Sequence, residues 1–435
     1  MAEVADRQGG RPETALLFQD AGLERRRNSL YLGGVSLTEI ADAAGTPAYV
    51  YNAAVIRRQF AALDGALGEL PHRIAFAVKA NANLAVLRVL RDLGAGADIV
   101  SGGELKRALA AGFAPERIVF SGVGKTDAEL EAAVEAGIGH VHLESAAELE
   151  ALAAVVSRAG RPMRVGIRVN PDVTADTHPF IATGQGGIKF GVPFDQVVPL
   201  GIAVSRHPLL TLDTIAMHIG SQLLDAAPYA EGVGRLLDVV DRLRAAGVGG
   251  IATLDIGGGL GIRYRDEAPL RPEVLAETVL PLLRKSGLAV TLEPGRYLVG
   301  SAGVLLTTVL SRKHSGGKDL VIVDAGMNDL VRPSHYMAYH EMAEVETHGR
   351  PSGEVDVVGP VCETGDFLAR DRVLPALERG ERIAVLGAGA YGFVMASNYS
   401  TRPRPAEVMV DAGRWWVARP REELEELYRT ERVGP

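Results

Sequence analysis

The feature that most constrains the fold is an alternation of short apolar runs with amphipathic stretches rich in Ala, Leu, Glu and Arg. Eight apolar runs follow one another: IAFAVK (74–79), ADIVS (97–101), RIVFS (117–121), HVHLE (140–144), VGIRVN (165–170), IAMHIGS (215–221), TLDIGGG (253–259) and VTLEPG (290–295). Apolar strands separated by helices predict a parallel sheet covered by helices, and eight such units close most naturally into a (β/α)₈ TIM-type barrel. A doubly wound open sheet is the alternative.

The segments between the runs are typical of helices and loops. TDAELEAAVEAG (126–137) has helical spacing of apolar residues, with Thr126 as the N-cap and Gly137 as the C-terminal stop, and GELKRALAAGFAPE (103–116) is similar. The longest gap, 171–213, is rich in glycine and proline and is expected to pass over the barrel mouth.

After about residue 300 the pattern changes to β-type runs without long helices between them, which predicts a second, β domain. These runs are GVLLTTVLS, KDLVIVDAG, EVDVVGPV, ERIAVLGAG and AEVMVDAGRWWVA. The strand-like NSLYLGGVSL (28–37) is expected to join them, and REELEELYRTE (421–431) predicts a short charged helix. We therefore expect a barrel over 45–297 and a β domain over 298–435 with 1–44.

Composition and charge exclude several classes of partner. The chain has 46 Lys and Arg against 54 Asp and Glu, a net charge of −8, and no dense basic block, so no nucleic-acid partner is expected. Its one cysteine, Cys362, cannot form an internal disulfide and suits a reducing compartment. The first residues carry no apolar leader, and the long uncharged stretch 383–401 is a poor membrane span. We expect a cytoplasmic protein.

Because reactive groups of such barrels lie at the carboxyl ends of the strands, the residues ending each run are candidates. Lys79 ends the first run, where desolvation would make its amine a usable nucleophile towards a carbonyl. Its alternative role is an ion pair with a neighbouring carboxylate. DIGGGLG (255–261) and EPGR (293–296) follow the seventh and eighth strands, the usual place for a phosphate in such barrels.

His218 in the sixth run is expected to project from its strand into the barrel mouth, where a flat ring suits stacking on a flat cofactor. His140 and His142 alternate on the fourth strand, but no third metal ligand can be assigned, so no metal site is expected. A nucleophilic lysine, a phosphate site, a stacking ring and the carboxylate of Glu293 together describe a site for pyridoxal 5′-phosphate. Glu293 facing the pyridine nitrogen favours reactions such as decarboxylation, which need the full electron sink.

The motifs resemble a known family, the fold-type III pyridoxal phosphate-dependent decarboxylases, over nearly the whole chain. FAVKAN, HIGSQ, GGGLG and EPGR are shared by the broader group, whereas three C-terminal segments are similar to the diaminopimelate decarboxylases. Those segments are VDAGMNDLVRPSHYMAYHE (323–341), GPVCETGDFLARDRVLP (359–375) and GAYGFVMASNYSTRPRP (389–405). The resemblance implies the alanine racemase-like fold and an enzyme of lysine biosynthesis that converts meso-2,6-diaminopimelate to L-lysine and carbon dioxide.

The resemblance also implies roles for individual residues. Lys79 would hold the cofactor covalently, His218 would stack on its ring, and Cys362 would protonate the carbanion left by carbon dioxide. The implied cofactor contacts are Lys79, His218, Gly257, Gly258, Gly259, Glu293, Pro294, Gly295, Arg296 and Tyr391. The implied substrate contacts are Arg296, Arg332, Tyr336, Glu363 and Tyr391. In this family Cys362 and Glu363 reach the partner subunit's site, so a homodimer is expected.

The implied substrate contacts are chemically complementary to diaminopimelate. Its far end carries a carboxylate, which suits Arg296, Arg332 and Tyr336, and an ammonium, which suits Glu363. Three alternatives stay open: another amino acid or a carrier-bound acyl group as substrate, a non-catalytic cofactor-binding protein, and a racemase. Two segments depart from the relatives, the glycine-rich TGQGGIKFG (183–191) and residues 1–27.

Overall fold

The structure is a computed structural model of the chain that describes residues 12–173 and 189–434. Within these residues the chain divides into two compact units. The barrel unit consists of residues 57–262 and 269–298, and the sheet unit consists of residues up to 56, 263–268 and those from 299.

The first elements of the chain lie in the sheet unit. They are α1 (Pro12–Ala21), β1 (Leu23–Arg26), β2 (Ser29–Leu32), β3 (Val35–Ser36), α2 (Leu37–Ala44) and β4 (Ala48–Asn52). β1, β2 and β3 pair antiparallel in a small sheet, as the strand-like sequence around NSLYLGGVSL predicts. The Ser36 hydroxyl accepts the N–H of Glu39 and so begins α2.

Strands and helices then alternate through the barrel unit. In chain order they are α3 (Ala53–Leu67), β5 (His72–Ala77), α4 (Leu84–Asp92), β6 (Gly96–Ile99), α5 (Gly102–Ala111), β7 (Ile118–Phe120), α6 (Asp127–Ala136), β8 (His140–Leu143), α7 (Ala146–Ala159), β9 (Met163–Arg168), α8 (Val197–Ser205), β10 (Leu210–Ala216), α9 (Ala227–Ala245), β11 (Thr253–Asp255), α10 (Pro272–Ser286), β12 (Ala289–Leu292) and α11 (Arg296–Val299). β5 to β12 pair parallel in sequence order, and β12 pairs with β5. The predicted closed (β/α)₈ barrel is confirmed, and the open sheet is excluded.

Local sequence accounts for the barrel elements. β6 and β7 are buried along their whole length, as strands covered on both faces must be. α6 begins with the capping box of Thr126 and Glu129 and ends at Gly137, whose φ is 68°. The N-cap and the glycine stop predicted for this helix are both confirmed.

The remaining strands join β4 in the main sheet of the sheet unit, and one short helix lies between them. They are β13 (Gly303–Ser315), β14 (Lys318–Val323), α12 (Arg332–Tyr336), β15 (Met342–Glu344), β16 (Ser352–Val358), β17 (Phe367–Pro375), β18 (Arg382–Val385), β19 (Ala406–Asp411) and β20 (Arg414–Arg419). β4 lies centrally between β13 and β19, and the predicted second, β-rich domain is thereby observed.

The structure differs from the sequence-based expectations in several places. The barrel unit begins at residue 57 rather than 45, because β4 (48–52) pairs with strands of the other unit. The sixth barrel strand ends at Ala216, so His218 lies in the loop after it rather than on it. The segment 421–431 forms only a 3₁₀ turn at Leu424–Leu427 instead of a helix.

Other elements were not expected from the sequence. α8 lies within the gap 171–213, β15 directly follows the motif 323–341, and β17 lies within the motif 359–375. The part of the 171–191 loop between residues 174 and 188, like residues 1–11, lies outside the described residues. No helix among residues 12–173 and 189–434 is long and apolar enough to cross a lipid bilayer.

Candidate active site

A cavity of about 330 Å³ opens in the barrel unit at the carboxyl ends of its strands. It is lined by Lys79, Val100, Ser121, Gly122, Val123, His142, Arg168, Phe190, Ala216, Met217, His218 and Glu293. Three residues singled out from the sequence, Lys79, His218 and Glu293, therefore lie around one space. The carboxyl ends of the strands are where barrel enzymes place their chemistry.

Lys79 lies two residues after β5, in a short 3₁₀ turn at Val78–Ala80. Its Nζ donates to Asp98 Oδ2 at 2.9 Å, and its side chain is 37% exposed whereas that of Asp98 is fully buried. The ion pair suggested as an alternative role is therefore present, and the same amine lines the cavity. The buried carboxylate of Asp98 thus holds the partly exposed amine of Lys79 at the rim of the barrel.

Glu293 follows β12 and accepts a hydrogen bond from Ser121, which in turn contacts His142. The Ser121 hydroxyl donates to Glu293 Oε1 at 3.2 Å and lies 3.3 Å from His142 Nδ1. Burial, followed by the charges of His140, Lys125 and Arg168, lowers the pKa of His142 well below its usual range. A neutral His142 that donates through Nδ1 to Ser121 completes this chain, which orients the Glu293 carboxyl.

Buried acids surround Glu293 and change its protonation. Burial and the nearby Asp255 and Asp98 carboxyls raise the pKa of Glu293 well above its usual range. Burial also raises the pKa of Asp255 to about 7. Glu293 is therefore most stable with a proton, and it can hold that proton at a basic nitrogen placed in the cavity.

His218 lies two residues after β10 and is oriented by the glycine loop. The N–H of Gly258 donates to His218 Nδ1 at 3.2 Å, which leaves the ring proton on Nε2. Burial, with the charges of Arg168 and Lys79, lowers the pKa of His218 well below its usual range. A neutral flat ring at the cavity wall is suited to stacking against a planar group.

The glycine triplet follows β11 and packs tightly. Gly257 and Gly259 have φ of 72° and 107°, which residues with a side chain rarely adopt. The N–H of Gly257 donates to Asp255 Oδ1 at 2.8 Å, and that of Gly258 is bonded to His218. Contacts from these two amides to a phosphate would require them to exchange partners.

The EPGR turn follows the eighth barrel strand. The carbonyl of Pro294 accepts the N–H of Ala77 at 3.2 Å, which ties this turn to the end of β5. Arg296 is buried, and its Nη2 donates to the Ser221 hydroxyl at 3.1 Å in the loop after β10. A buried guanidinium and a hydroxyl are thus held together beside the glycine loop, a donor set that suits an anion.

The sheet unit holds the other residues implied by the resemblance. Arg332 begins α12 and is 6% exposed, with its guanidinium 4.8 Å from the centre of the Tyr264 ring. Tyr336 ends the same short helix, and its ring meets that of His335 edge-on at 4.5 Å. Arg332 and Tyr336 are thus the first and last residues of the same short helix.

Cys362 and Glu363 lie on the loop between β16 and β17, and both are exposed in this chain. A hydrogen bond with Glu363 raises the pKa of Tyr399. Ser334 Oγ donates to the carbonyl of Gly365 at 2.6 Å, so α12 is tied to this loop. Tyr391 is half-buried and has a φ of 56°, so its backbone is in a conformation that favours glycine.

Sequence reasoning missed several groups: Ser121 and Arg168 line the cavity, Asp98 bonds to Lys79, and Asp255 bonds to the glycine loop. Arg168 and Asp255 end barrel strands and Ser121 directly follows one, so a strand-end rule could have found these three, whereas Asp98 lies inside β6. The two histidines of the fourth strand face different groups. His140 Nε2 lies 3.0 Å from Asp213 Oδ1. His142 instead lies within 4.8 Å of Asp255 and Glu293, the further candidate ligands that the sequence had not revealed.

The residues around the cavity fit pyridoxal phosphate by their chemistry. An amine (Lys79), a neutral ring (His218) and a buried acid (Glu293) are the groups that such a cofactor needs for attachment, stacking and its ring nitrogen. The cavity also falls within the usual size range of small-molecule sites. Arg296 and the glycine loop supply donors for a phosphate.

Comparison with known proteins agrees with this chemistry. Residues 53–300 match the family described as pyridoxal-dependent decarboxylase, pyridoxal binding domain. The diaminopimelate decarboxylase of Pseudomonas aeruginosa is 48% identical over 94% of this chain and 98% of its own length. The chain belongs to the diaminopimelate decarboxylases. The enzyme of Aquifex aeolicus is also 48% identical, over 92% of this chain and 95% of its own.

Solved structures of this family have the same fold. The diaminopimelate decarboxylase of Helicobacter pylori complexed with L-lysine is 39% identical, covers 91% of this chain and 98% of its own, and superposes with a TM-score of 0.88. A lysine/ornithine decarboxylase of Vibrio vulnificus, at 20% identity and a TM-score of 0.76, shares the fold alone. The predicted family, fold and enzyme class are confirmed.

Proposed function

We propose that this chain removes carbon dioxide from meso-2,6-diaminopimelate to give L-lysine, with pyridoxal 5′-phosphate as its cofactor. The observation that carries the proposal is the placement of Lys79, His218 and Glu293 around one cavity in a chain that belongs to the diaminopimelate decarboxylases. The bound cofactor supplies an electron sink for the pair of electrons that carbon dioxide leaves behind.

The residues of the barrel unit would bind and orient the cofactor. Lys79, held by Asp98, offers the amine that attaches it, and the neutral ring of His218 supports its flat face. Glu293 would face the ring nitrogen, and because burial and its acidic neighbours raise the pKa of its carboxyl, it has a proton to donate to that nitrogen. The glycine loop and the EPGR turn, which includes Pro294 and Gly295, would bind the phosphate.

The residues proposed to recognise the substrate are those that the resemblance implies. Arg296, Arg332 and Tyr336 bind the carboxylate remote from the reacting carbon, and Glu363 binds the adjacent ammonium. Tyr391 closes the cofactor site. A substrate without the remote carboxylate would leave buried arginines without their anion, which disfavours ornithine and lysine as substrates.

We further propose a cytoplasmic homodimer in which Cys362 and Glu363 act at the site of the partner subunit. Both side chains are exposed on the surface of this chain, so they are available to a second copy. Cys362 would donate the proton that replaces the lost carboxylate. The barrel unit then serves cofactor binding, and the sheet unit serves substrate and dimer contacts.

The test is a competition assay with the purified chain and added pyridoxal phosphate. We expect release of carbon dioxide and L-lysine from meso-diaminopimelate, and a kcat/KM far above those for ornithine, arginine or a carrier-bound glutamyl group. If one of those competitors reacted faster, the proposed substrate would be wrong. If no carbon dioxide were released from any of them by the cofactor-loaded protein, the proposed activity would be wrong.

A further inference from the structure

His340 lies in the segment 323–341, which resembles the family, but neither the resemblance nor the proposed function assigns it a role. It follows α12, directly precedes Glu341 and β15, and is fully buried. Its side chain lies between Arg332 and the backbone that follows β18. A buried imidazole next to a buried guanidinium requires an explanation, because two cations in contact would repel each other.

The hydrogen bonds of the imidazole define its protonation state. Nδ1 lies 2.8 Å from the carbonyl oxygen of Leu386, which can only accept, so Nδ1 carries the proton. Nε2 lies 2.9 Å from Nη1 of Arg332, which can only donate, so Nε2 is an unprotonated acceptor. His340 is therefore neutral, and it orients the guanidinium without cancelling its charge.

Rigid backbone holds His340 in this position. Its carbonyl accepts from Arg372 Nη1 at 2.8 Å, and the N–H of Leu386 donates to the carbonyl of Glu341 at 2.8 Å. The strands on either side, β15 and β18, pair antiparallel. The imidazole therefore has little freedom to move away from Arg332.

Tyr264 contacts both side chains. Its ring meets the His340 ring edge-on with centroids 5.3 Å apart, and it lies under the Arg332 guanidinium at 4.8 Å. Gly387 leaves room for this arrangement, since a Cβ there would lie 3.2 Å from the Tyr264 ring. An aromatic face, like a neutral imidazole, fixes a guanidinium and leaves its charge available to an anion.

We propose that His340 is a positioning residue that aims Arg332 at the substrate carboxylate remote from the reacting carbon and so contributes to substrate specificity. The proposal rests on the role of Arg332 in the proposed function. A carboxylate at position 340 would neutralise the guanidinium and compete with the substrate, whereas a neutral acceptor orients it without such competition. The residue thus acts on binding of the remote carboxylate and not on the bond that breaks.

Two variants separate the two hydrogen bonds of the imidazole. His340→Gln can place an amide oxygen near the position of Nε2 and keep an acceptor for Arg332. His340→Asn has a shorter side chain, which can still reach Leu386 but not Arg332. His314→Asn, an exposed histidine on β13 paired with Asp319, is the matched control.

The measurement compares two inhibitors of the cofactor-loaded enzyme. L-lysine keeps the carboxylate that decarboxylation spares, whereas cadaverine lacks it. We expect His340→Asn to raise KM for meso-diaminopimelate and Ki for L-lysine about tenfold or more, with kcat and the Ki of cadaverine within about twofold of wild type. His340→Gln should recover most of the L-lysine binding, and His314→Asn should change neither.

Three outcomes would overturn the proposal. One is an unchanged Ki for L-lysine in His340→Asn, and another is an equal loss of cadaverine and L-lysine binding, which would indicate a structural role. The third is a His340→Gln variant that is folded by its thermal transition yet binds L-lysine no better than His340→Asn. Arg332→Gln distinguishes the underlying assumption: if it leaves the L-lysine Ki unchanged, the substrate role proposed for Arg332 fails first.

Discussion

The candidate residues of the barrel unit and those of the sheet unit are positioned in different ways. Glu293 immediately follows a barrel strand, and Lys79 and His218 each lie two residues beyond one, so strand periodicity alone locates them near one mouth. Arg332 and Cys362 lie on a short helix and a surface loop, where no periodicity points to chemistry. They were found only because their motifs resemble a family.

This difference shows what a regular architecture contributes to function. A closed parallel barrel brings eight strand ends to one rim whatever their side chains are, so a strand-end residue is a candidate by topology. The sheet unit has no such rule, because its strands run in both directions and its candidate residues lie between strands. Four predictions test whether the two units divide the work as proposed.

The largest effect is expected at the barrel rim. Lys79→Ala removes the amine that attaches the cofactor, so activity should fall by at least about a thousandfold and the visible absorbance of the bound cofactor should change. The fold should persist, since the side chain is partly exposed. Lys106→Ala, an exposed lysine on α5, is the control. Turnover retained by Lys79→Ala would show that the amine is not needed.

The next effect tests the sheet unit across subunits. Cys362→Ala should lower kcat about a hundredfold, the scale for loss of a general acid. Mixing Lys79→Ala with Cys362→Ala subunits should recover roughly a quarter of wild-type activity, since half the dimers are mixed and each has one intact site. Verified mixed dimers that stay inactive would contradict the shared site.

A third prediction concerns the pH dependence of stability in the sheet unit. Burial raises the pKa of Asp329 to about 7, whereas an unfolded aspartate loses its proton near pH 4. The native state thus binds more protons between these values, and the free energy of unfolding falls as the pH rises through this window. Asp329→Asn should remove this dependence, which amounts to at most about 4 kcal/mol.

Thermal unfolding across this pH range provides the measurement. The Tm of Asp329→Asn relative to wild type should rise steadily from about pH 4 to about pH 7. Asp266→Asn, at an exposed position of the sheet unit, serves as the control and should give a difference that is flat with pH. A flat difference for Asp329→Asn as well would mean that its carboxyl is ionised throughout.

The smallest effect tests the local signals of the barrel unit. Thr126→Ala removes the hydroxyl of the capping box that begins α6, and we expect a loss of about 1 kcal/mol in the free energy of unfolding. Thr126→Ser should retain most of the stability that Thr126→Ala loses. Urea denaturation of the two variants measures the difference, and equal stability of both would show that tertiary packing alone sets this helix end.

The sequence predicted the architecture of the barrel better than that of the sheet unit. All eight apolar runs overlap barrel strands, because a strand that is buried on both faces has a continuous apolar sequence. β15 and β17 were missed, since three residues are too few for a pattern in β15 and charged residues interrupt β17. β4 was assigned to the barrel because its pairing with β13 and β19 depends on residues far along the chain.

The candidate site shows the same limit. The residue types that carry the chemistry, such as the amine of Lys79 and the acid of Glu293, are visible in the sequence together with their places at strand ends. Their partners are not: Asp98 holds Lys79 from the next strand, and Ser121 reaches Glu293 across 172 positions of the chain. His340 likewise meets the carbonyl of Leu386 only once β15 pairs with β18.

By itself, then, the sequence of this protein determined where the strands of its barrel form and which functional groups it can offer, because periodicity and side-chain chemistry are local properties. Tertiary structure alone decided which groups meet, which of them are buried, and hence which of them keep a proton. Glu293 lies among acids, which favours its protonated form, and His218 and His340 are neutral. The physical reason is that hydrogen bonds and desolvation act over a few ångströms, whereas closing a barrel or a sheet joins residues that are distant in sequence.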